Sequence, residues 1–474
     1  MSLDEDRSET PDRVSRVIRD LVPLGVIAFL FAVAVRRGCA PLTNDDTFFH
    51  LRFGAEFLDG WGPRDAGSVT GLATRDWVPT QWLSQVLIAL LERTFGLAGV
   101  MWLYGALIAT FVMVVFWTCR DHAGRLVAAM VTVITLIAVT PGLSMRPQLM
   151  SYILVTLTVA AWLRTAMDGR IRWWLLATAW VWPMLHGMWP VGVLIGFTAA
   201  LGLILDGRLD RRQAILSLSV PLLSVVAAAT TPIGPGIYRE IFTVGSRSKY
   251  FEEWGPTDFT DLFALVLAAM LAGVLVIHLR AGAIDWIRAL LILQAGGWAI
   301  YSARTVPVAA ALVAPLAAAA LQSLPMPRLR VMARGERLLV LAGYAVSLLL
   351  LTVLAPRFVA AGPEFPEWVD RELSAYPEGT RVLNEWAWGG YLMWRFPDID
   401  VVMHGYGDTF TTAELDRSVD IVRLKPGWDR AVRRIDAEVA LVDPDSPLAY
   451  ALKQSEGWTV VQHSRDVQLL IPPD

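Results

Sequence analysis

Asn44-Asp45-Asp46-Thr47-Phe48-Phe49-His50-Leu51-Arg52 packs two carboxylates, an imidazole and a guanidinium into nine residues, directly after the first apolar run of the chain. Charge at a bilayer boundary is costly unless it is paired, solvated or used. A hydrophilic loop capping a helix, with Asn44 or Asp45 as N-cap, would need only polarity. Here Phe48 and Phe49 stand between the charged groups, so the stretch reads as a functional site. Asp46, Asp45 and His50 are its candidate catalytic groups. Arg52 can either meet an anion or pair with Asp46 and hold the loop.

The rest of the chain makes the neighbouring bilayer explicit. It has 474 residues, 55% of them hydrophobic and 18% charged, with mean hydropathy +0.48. Such values lie above the globular norm and indicate a multi-pass membrane protein. A net charge of −3 implies no nucleic-acid partner. The 20 tryptophans suit interfacial belts and sugar stacking equally well.

Residues 1–20 form a hydrophilic tail with Arg7, Arg13, Arg16 and Arg19. The apolar run from Leu21 to Val35 is short for a span. Arg36-Arg37 follow it without a small-residue cleavage site, which reads as an uncleaved signal anchor. Runs of spanning length follow at 97–119, 126–144, 148–167, 171–186, 188–205, 214–233, 259–279, 286–302, 305–324 and 336–356. Pro183, His186 and Pro190 break the 171–205 stretch. Gln81 to Phe95 reads as an amphipathic helix on the surface, with Trp82, Leu83, Val86, Leu87, Leu90 and Leu91 on its apolar side.

The expectation is therefore about eleven spans over 21–356, with an external first loop at 36–96. Alternate connections (120–125, 164–172, 208–212, 280–288 and 328–337) each carry at least two arginines. Placing those inside puts the N-terminus in the cytoplasm and the C-terminus outside a plasma membrane. Cys39 and Cys119 then lie at opposite faces and cannot pair. Beyond 356, strand-like runs at Arg381–Leu383, Asp400–Met403, Val439–Val442, Thr459–Gln462 and Val467–Ile471 alternate with helical ones at Trp428–Ile435 and Pro447–Gln454. Residues 357–474 read as an extracytoplasmic α/β domain.

With this topology, chemically mixed groups gather on the external face. They are Asp45, Asp46, His50, Arg52, Arg146, Gln148, His186, Arg247, Lys249, Glu252, Glu253, Trp254, Tyr301 and Arg304. The internal connections hold mostly arginine. Gathering of this kind marks a site at one face and argues against a transporter, whose ionisable groups stand mid-membrane.

Four patterns in order carry a resemblance. Asp46-Thr47-Phe48-Phe49-His50-Leu51-Arg52 resembles the first-loop motif of the oligosaccharyltransferase catalytic subunit. Phe251-Glu252-Glu253-Trp254-Gly255-Pro256-Thr257 resembles its long external loop. Arg304, with Pro315 beyond it, resembles the arginine that contacts lipid-linked phosphate. Trp386-Ala387-Trp388-Gly389-Gly390-Tyr391 stands where that family has its tryptophan-rich tail motif. The chain is similar also to bacterial GT-C-like membrane proteins, through Asp46/His50/Arg52/Gly54, Arg146-Pro147, His186-Gly187 and Trp388-Gly389-Gly390-Tyr391.

The resemblance implies a GT-C-fold membrane glycosyltransferase. It would move a sugar from a polyprenyl-phosphate donor to an acceptor glycan, lipid or protein on the external face. It implies Asp46 and Glu253 as catalytic carboxylates and tentative ligands of a divalent cation (Mg or Mn), since a hard cation can neutralise the leaving phosphate. Arg304, Arg146, Arg247 and Arg52 would bind that phosphate through forked hydrogen bonds. His186, Trp388 and Tyr391 would meet substrate or acceptor.

Other readings stand beside these. His186 is equally well a packed histidine bonded to a carbonyl freed by Pro190. Gly389-Gly390 is equally well a turn. No carboxylate lies within several positions of Arg304, so its partner would be an anion from outside the chain. The second acidic pair that the family has after the third span is absent, and Met145-Arg146-Pro147-Gln148 occupies its place. That departure keeps open a non-catalytic protein that binds lipid-linked glycan or assists a partner enzyme.

Overall fold

A computed structural model of the chain describes residues 13–280, 282–324, 332–363 and 365–473, with side chains from residue 21 onward. Most of the N-terminal tail, and Arg328 and Arg330 of the last basic connection, lie outside the described residues. Each apolar run read from the sequence is helical. Among the described residues, eight helical segments are long and apolar enough to cross a membrane: Leu21–Gly38, Leu97–Arg120, Arg125–Gly142, Gln148–Asp168, Arg211–Ala229, Leu262–Arg280, Ala303–Gln322 and Arg334–Arg357. Three further helices are shorter, with 12 residues in Trp174–Leu185, 17 in Trp189–Leu205 and 16 in Trp286–Tyr301. The break between the first two of these comes at His186, whose backbone is extended, and Pro190 opens the next helix. Proline is favoured there because the first turn has no amide partner to lose.

The helix Val306–Gln322 is the axis of the bundle. It is alanine-rich and buried along most of its length, packed against Leu97–Arg120, Arg125–Val139, Gln148–Asp168, Leu262–Arg280 and Trp286–Tyr301. Small residues let neighbouring backbones approach where lipid supplies no hydrophobic drive between helices. At the predicted inner face Glu336 is buried between Arg120 (2.6 Å) and Arg125 (2.8 Å). A buried carboxylate needs such pairing, and removing both arginines would leave an uncompensated charge. The two cysteines are free.

On the opposite side, the helix Asp45–Leu58 lies against Trp82–Phe95. The buried face of Trp82–Phe95 consists of Ser84, Gln85, Ile88 and Ala89. The apolar side read from the sequence (Trp82, Leu83, Val86, Leu87, Leu90 and Leu91) is a different one and stays partly exposed. Close approach shapes the buried side: a Cβ on Gly54 would stand 2.1 Å from the Gln85 carbonyl, so only small or slender groups fit between these helices. The leucines face outward in part instead.

The C-terminal domain holds a five-stranded sheet ordered β2-β1-β3-β5-β4. Its strands are β1 (Arg381–Asn384), β2 (Asp400–Val401), β3 (Val439–Val442), β4 (Thr459–His463) and β5 (Gln468–Ile471). β2, β1 and β3 run parallel, and β5 runs antiparallel to β3 and β4. Alternate residues of each strand serve opposite faces. Leu383, Ala440, Val442 and Leu470 pack beneath Leu448 and Leu452. Val382, Val439, Leu441 and Leu469 share a core with Phe49, Phe53 and Phe57 of the helix Asp45–Leu58. The domain is thus completed by the helix Asp45–Leu58, which fixes its position over the bundle.

The arginine pattern predicts this domain outside and the connection around residue 283 inside. Single cysteines at the exposed positions Ser455 and Ala283, in a background lacking Cys39 and Cys119, test it. An impermeant thiol reagent should label Ser455→Cys in intact cells and spare Ala283→Cys. Labelling of both from outside would reverse the assignment.

Candidate functional site

The helix Asp45–Leu58 begins as its sequence expects. Asn44 is the N-cap, its Oδ1 accepting the Asp46 amide at 3.0 Å, and both aspartates stand in the first turn, where the helix dipole favours negative charge. The two then diverge. Asp45 turns to the C-terminal domain and accepts the amides of Gly390 (3.1 Å) and Tyr391 (2.9 Å). Burial pushes its carboxyl up to about 7, against the lowering effect of those two amides.

Gly390 is a glycine because of this docking, and Gly389 because of close packing within the C-terminal domain; neither marks a turn. They open the helix Gly389–Arg395. A Cβ on Gly390 would meet the Asp45 carbonyl at 2.5 Å and Oδ2 at 2.8 Å, and one on Gly389 would meet the Met403 carbonyl at 1.9 Å. Gly390→Ala should therefore loosen the domain from the bundle, costing about 1–3 kcal/mol as overpacking does. Limited proteolysis of the 357–474 region would read it; unchanged resistance would refute the docking role.

Asp46 turns instead toward Arg146. Arg146 precedes the helix Gln148–Asp168 and reaches Asp46 Oδ2 (Nε, 3.1 Å), Asn44 Oδ1 (Nε, 3.2 Å) and both oxygens of Glu253 (Nη2, 2.7 Å; Nη1, 3.0 Å). Arg304 opens the axial helix, where its Nη1 meets Glu253 Oε2 at 3.1 Å and its guanidinium lies 5.2 Å from the Trp254 ring. Within the chain its partner is thus Glu253, 51 positions away, a carboxylate that its sequence surroundings did not reveal. Arg304 Nε is buried without a hydrogen-bond partner.

These contacts set the charges. Burial raises the Asp46 carboxyl, and Arg146 and then Arg304 only partly offset this. Burial also works to raise Glu253, but Arg146 and Arg304 outweigh it and hold the carboxyl below its ordinary range. The residues do not present a cation site as they stand. A guanidinium bridges the two carboxylates that would be its ligands, and no group of three or more His, Cys, Asp or Glu among the described residues could hold a metal ion.

His50 is buried, its Nδ1 3.2 Å from Gln85 Nε2; desolvation, and next the charge of Arg146, keep the ring neutral. His186 Nδ1 stands 2.9 Å from the Ser151 hydroxyl, which Trp182 Nε1 also engages at 2.7 Å. A side-chain hydroxyl, not a freed carbonyl, is therefore its partner.

Asp46, His50, Arg146, His186, Glu253 and Arg304 line one cavity of about 610 Å³. A second of about 470 Å³, with walls of Met188, Trp189, Ile241, Trp298 and Val308, shares Gln81, His186, Val244, Trp254, Arg304 and Asp408 with the first.

Three expected residues stand elsewhere. Arg52 pairs with Glu56 one turn on (3.0 Å) and lines neither cavity. Trp388 packs on Phe365 and Tyr391 on Phe48, both with ring centroids at 5.1 Å, while Trp386 and Ala387 line the cavity in their place. Arg247 does line the cavity, but its guanidinium is committed to the carbonyls of Gly407 and Phe410. Tyr406 and Asp408 of the C-terminal domain line the cavity and were not anticipated. The run His404-Gly405-Tyr406-Gly407-Asp408, polar and glycine-rich just past a strand, was the available signal.

No family model and no curated protein matches the chain. Solved structures do. The archaeal oligosaccharyltransferase AglB from Archaeoglobus fulgidus, in complex with an inhibitory peptide and a dolichol-phosphate, aligns with TM-score 0.54 at 10% identity, over 96% of this chain and 75% of that one. ArnT from Cupriavidus metallidurans bound to undecaprenyl phosphate aligns with TM-score 0.53 at 14% identity, over 97% and 98%. The arabinofuranosyltransferase AftD from Mycobacteria aligns with TM-score 0.52 at 14% identity, over 96% of this chain and 40% of that larger one. The likeness is one of fold: the chain has the GT-C fold of membrane glycosyltransferases.

Proposed function

We propose that this GT-C-fold membrane protein transfers a sugar from a polyprenyl-phosphate donor to an acceptor on the external membrane face. The observation that carries the reading is the seat of Glu253. One carboxylate in the polar cavity lies between two guanidiniums, and the one belonging to Arg304, whose Nε has no partner among the described residues, borders the apolar cavity as well. A phosphate is the other anion that two forked guanidiniums bind well. The apolar cavity suits the first isoprenes of its chain. Solved structures of the same fold hold dolichol-phosphate and undecaprenyl phosphate.

In this reading the donor phosphate takes the place of Glu253, which sits in a short external turn at Glu252–Trp254 and is free to swing into solvent. Arg146 and Arg304 then neutralise the charge that grows on the phosphate as its bond to the sugar breaks. The sugar remains beside Asp46, whose carboxylate stabilises the positive charge that develops at the anomeric carbon. Asp45 anchors the roof of the cavity. His50, neutral, offers one ring nitrogen to a sugar hydroxyl.

Purified protein incubated with a panel of undecaprenyl-phosphate monosaccharides and octyl glycosides should release undecaprenyl phosphate and form a longer glycoside. Tight binding of undecaprenyl phosphate with no turnover on any donor would instead support a non-catalytic glycan-lipid binder.

A further inference from the structure

We propose that Asp408, supplied by the C-terminal domain, is the base that takes the acceptor's proton. The assignment rests on the reading of the protein as a glycosyltransferase. A hydroxyl acceptor must lose a proton as it attacks, and the group that receives it must face the cavity with a free oxygen. The other carboxylates there are engaged or in open solvent. Asp46 is held by Arg146 and Asp45 by two amides, Glu252 is exposed, and Glu253, paired with Arg146 and Arg304 here, is displaced toward solvent once the donor phosphate takes those arginines. Asp408 borders both cavities, and its carboxylate has no hydrogen bond or ion pair with any described residue.

Its position is fixed by its backbone, which leaves the side chain free to act. Arg75 donates from Nη1 to the Asp408 carbonyl (2.6 Å) and from its amide to the Thr409 carbonyl (3.1 Å). Arg247 donates to the carbonyls of Gly407 and Phe410 on either side. Two glycines let this loop settle over the site. A Cβ on Gly407 would stand 2.6 Å from the Phe251 ring, and one on Gly405 would stand 3.2 Å from Asp46 Oδ1. A loop clamped at four carbonyls beside Asp46 is the kind of rigid support that catalytic geometry requires.

The charges around Asp408 favour the role. Burial lifts its carboxyl above the ordinary range and Glu240 adds to this, while Arg247, Arg75 and Arg304 pull the other way. Glu240 stands on the helix Ile237–Arg247 and is itself tied to Arg75 at 2.8 Å. A carboxylate lifted toward neutrality accepts a proton more readily than an ordinary one.

The step balances within the proposed reaction. The acceptor O–H proton passes to Asp408 as the acceptor oxygen bonds to the anomeric carbon. The bond from that carbon to the phosphate oxygen breaks, and its electron pair leaves on the polyprenyl phosphate held by Arg146 and Arg304. Asp408 then returns its proton to solvent.

The test uses the full chain with undecaprenyl-phosphate monosaccharides as donors and octyl glycosides as acceptors. Asp408→Asn should lower kcat about 10²–10⁴-fold, with donor KM changed by no more than about twofold and Tm unchanged. The wild-type rate should fall on the acid side, and Asp408→Asn should lose the part of that limb due to Asp408 while keeping the part set by Asp46, which burial also raises. Formate should restore part of the rate of Asp408→Ala. An unchanged kcat in Asp408→Asn, or a loss confined to donor KM, would overturn the assignment while leaving the transferase reading intact. A lost rate with lowered Tm and no formate rescue would make Asp408 structural and overturn it equally. A wild-type protein silent on the whole panel would remove the transferase reading and this assignment together.

Discussion

Asp46→Asn should insert and melt like the wild type yet transfer sugar on the order of 10³-fold more slowly, the loss expected when a group stabilising transition-state charge is removed. The amide keeps the size of the carboxylate and still accepts from Arg146 Nε, which lies 3.1 Å away. Arg146 is not stranded either, since it retains both oxygens of Glu253. Breaking a buried ion pair destabilises chiefly through the charge left alone, and here none is left alone. The variant therefore separates chemistry from folding. What disappears is the negative charge beside the anomeric carbon, which matters little to the bound donor and much to the transition state. The loss should fall on kcat, with donor affinity maintained or improved, because a carboxylate next to a bound phosphate repels it. Turnover would be measured beside undecaprenyl-phosphate binding and thermal unfolding. Full activity with a normal Tm would deprive the mechanism of its central group.

The fold was legible because the bilayer imposes long uniform signals. Backbone groups in lipid must be satisfied within the segment, so each apolar run of the required length had to become a helix. The five strand runs were legible for a different reason. Their alternation serves two cores, one around Leu383 and Val442 and one around Val382 and Leu441. The site was legible one residue at a time. Asp46, His50, Arg146, Glu253 and Arg304 stood out as polar groups on a membrane face. Their mutual pairing did not, because Arg146 and Glu253 are 107 positions apart and meet only where helix ends converge. Arg52 was misjudged because a local rule outranked the tertiary one: Glu56 lies one turn along and takes it as a partner. Tyr391 and Trp388 stood out for their aromatic character, while Gly390 between them dictated the contact with Asp45. Asp408 follows a strand of only two residues, too short to announce the loop beyond it.

The seat of Glu253 makes a prediction in which the sign of the effect, not only its size, discriminates between roles. If the donor phosphate displaces Glu253 from the two guanidiniums, the carboxylate competes with the ligand. Glu253→Gln would then weaken the competitor and leave both forks available. Binding of undecaprenyl phosphate should tighten, by roughly severalfold, since a neutral amide holds a guanidinium less strongly than a carboxylate does. Arg304→Ala acts in the opposite direction. It removes a charge-assisted contact worth about 1.5–3 kcal/mol, so binding should weaken about 10–150-fold. Arg304→Lys keeps the charge but loses both the fork and the Nε that is now without a partner, and should fall between the two. A metal-ligand role for Glu253 predicts the reverse sign, because its amide would then lose affinity together with any dependence on divalent cation. Titration of undecaprenyl phosphate into the wild type and these three variants, each with and without Mg, reads all of this in one series. Tighter binding by Glu253→Gln, unaffected by Mg, is the expected outcome. Weaker and Mg-dependent binding would return Glu253 to the cation, and equal affinity across all four proteins would place the phosphate away from both arginines.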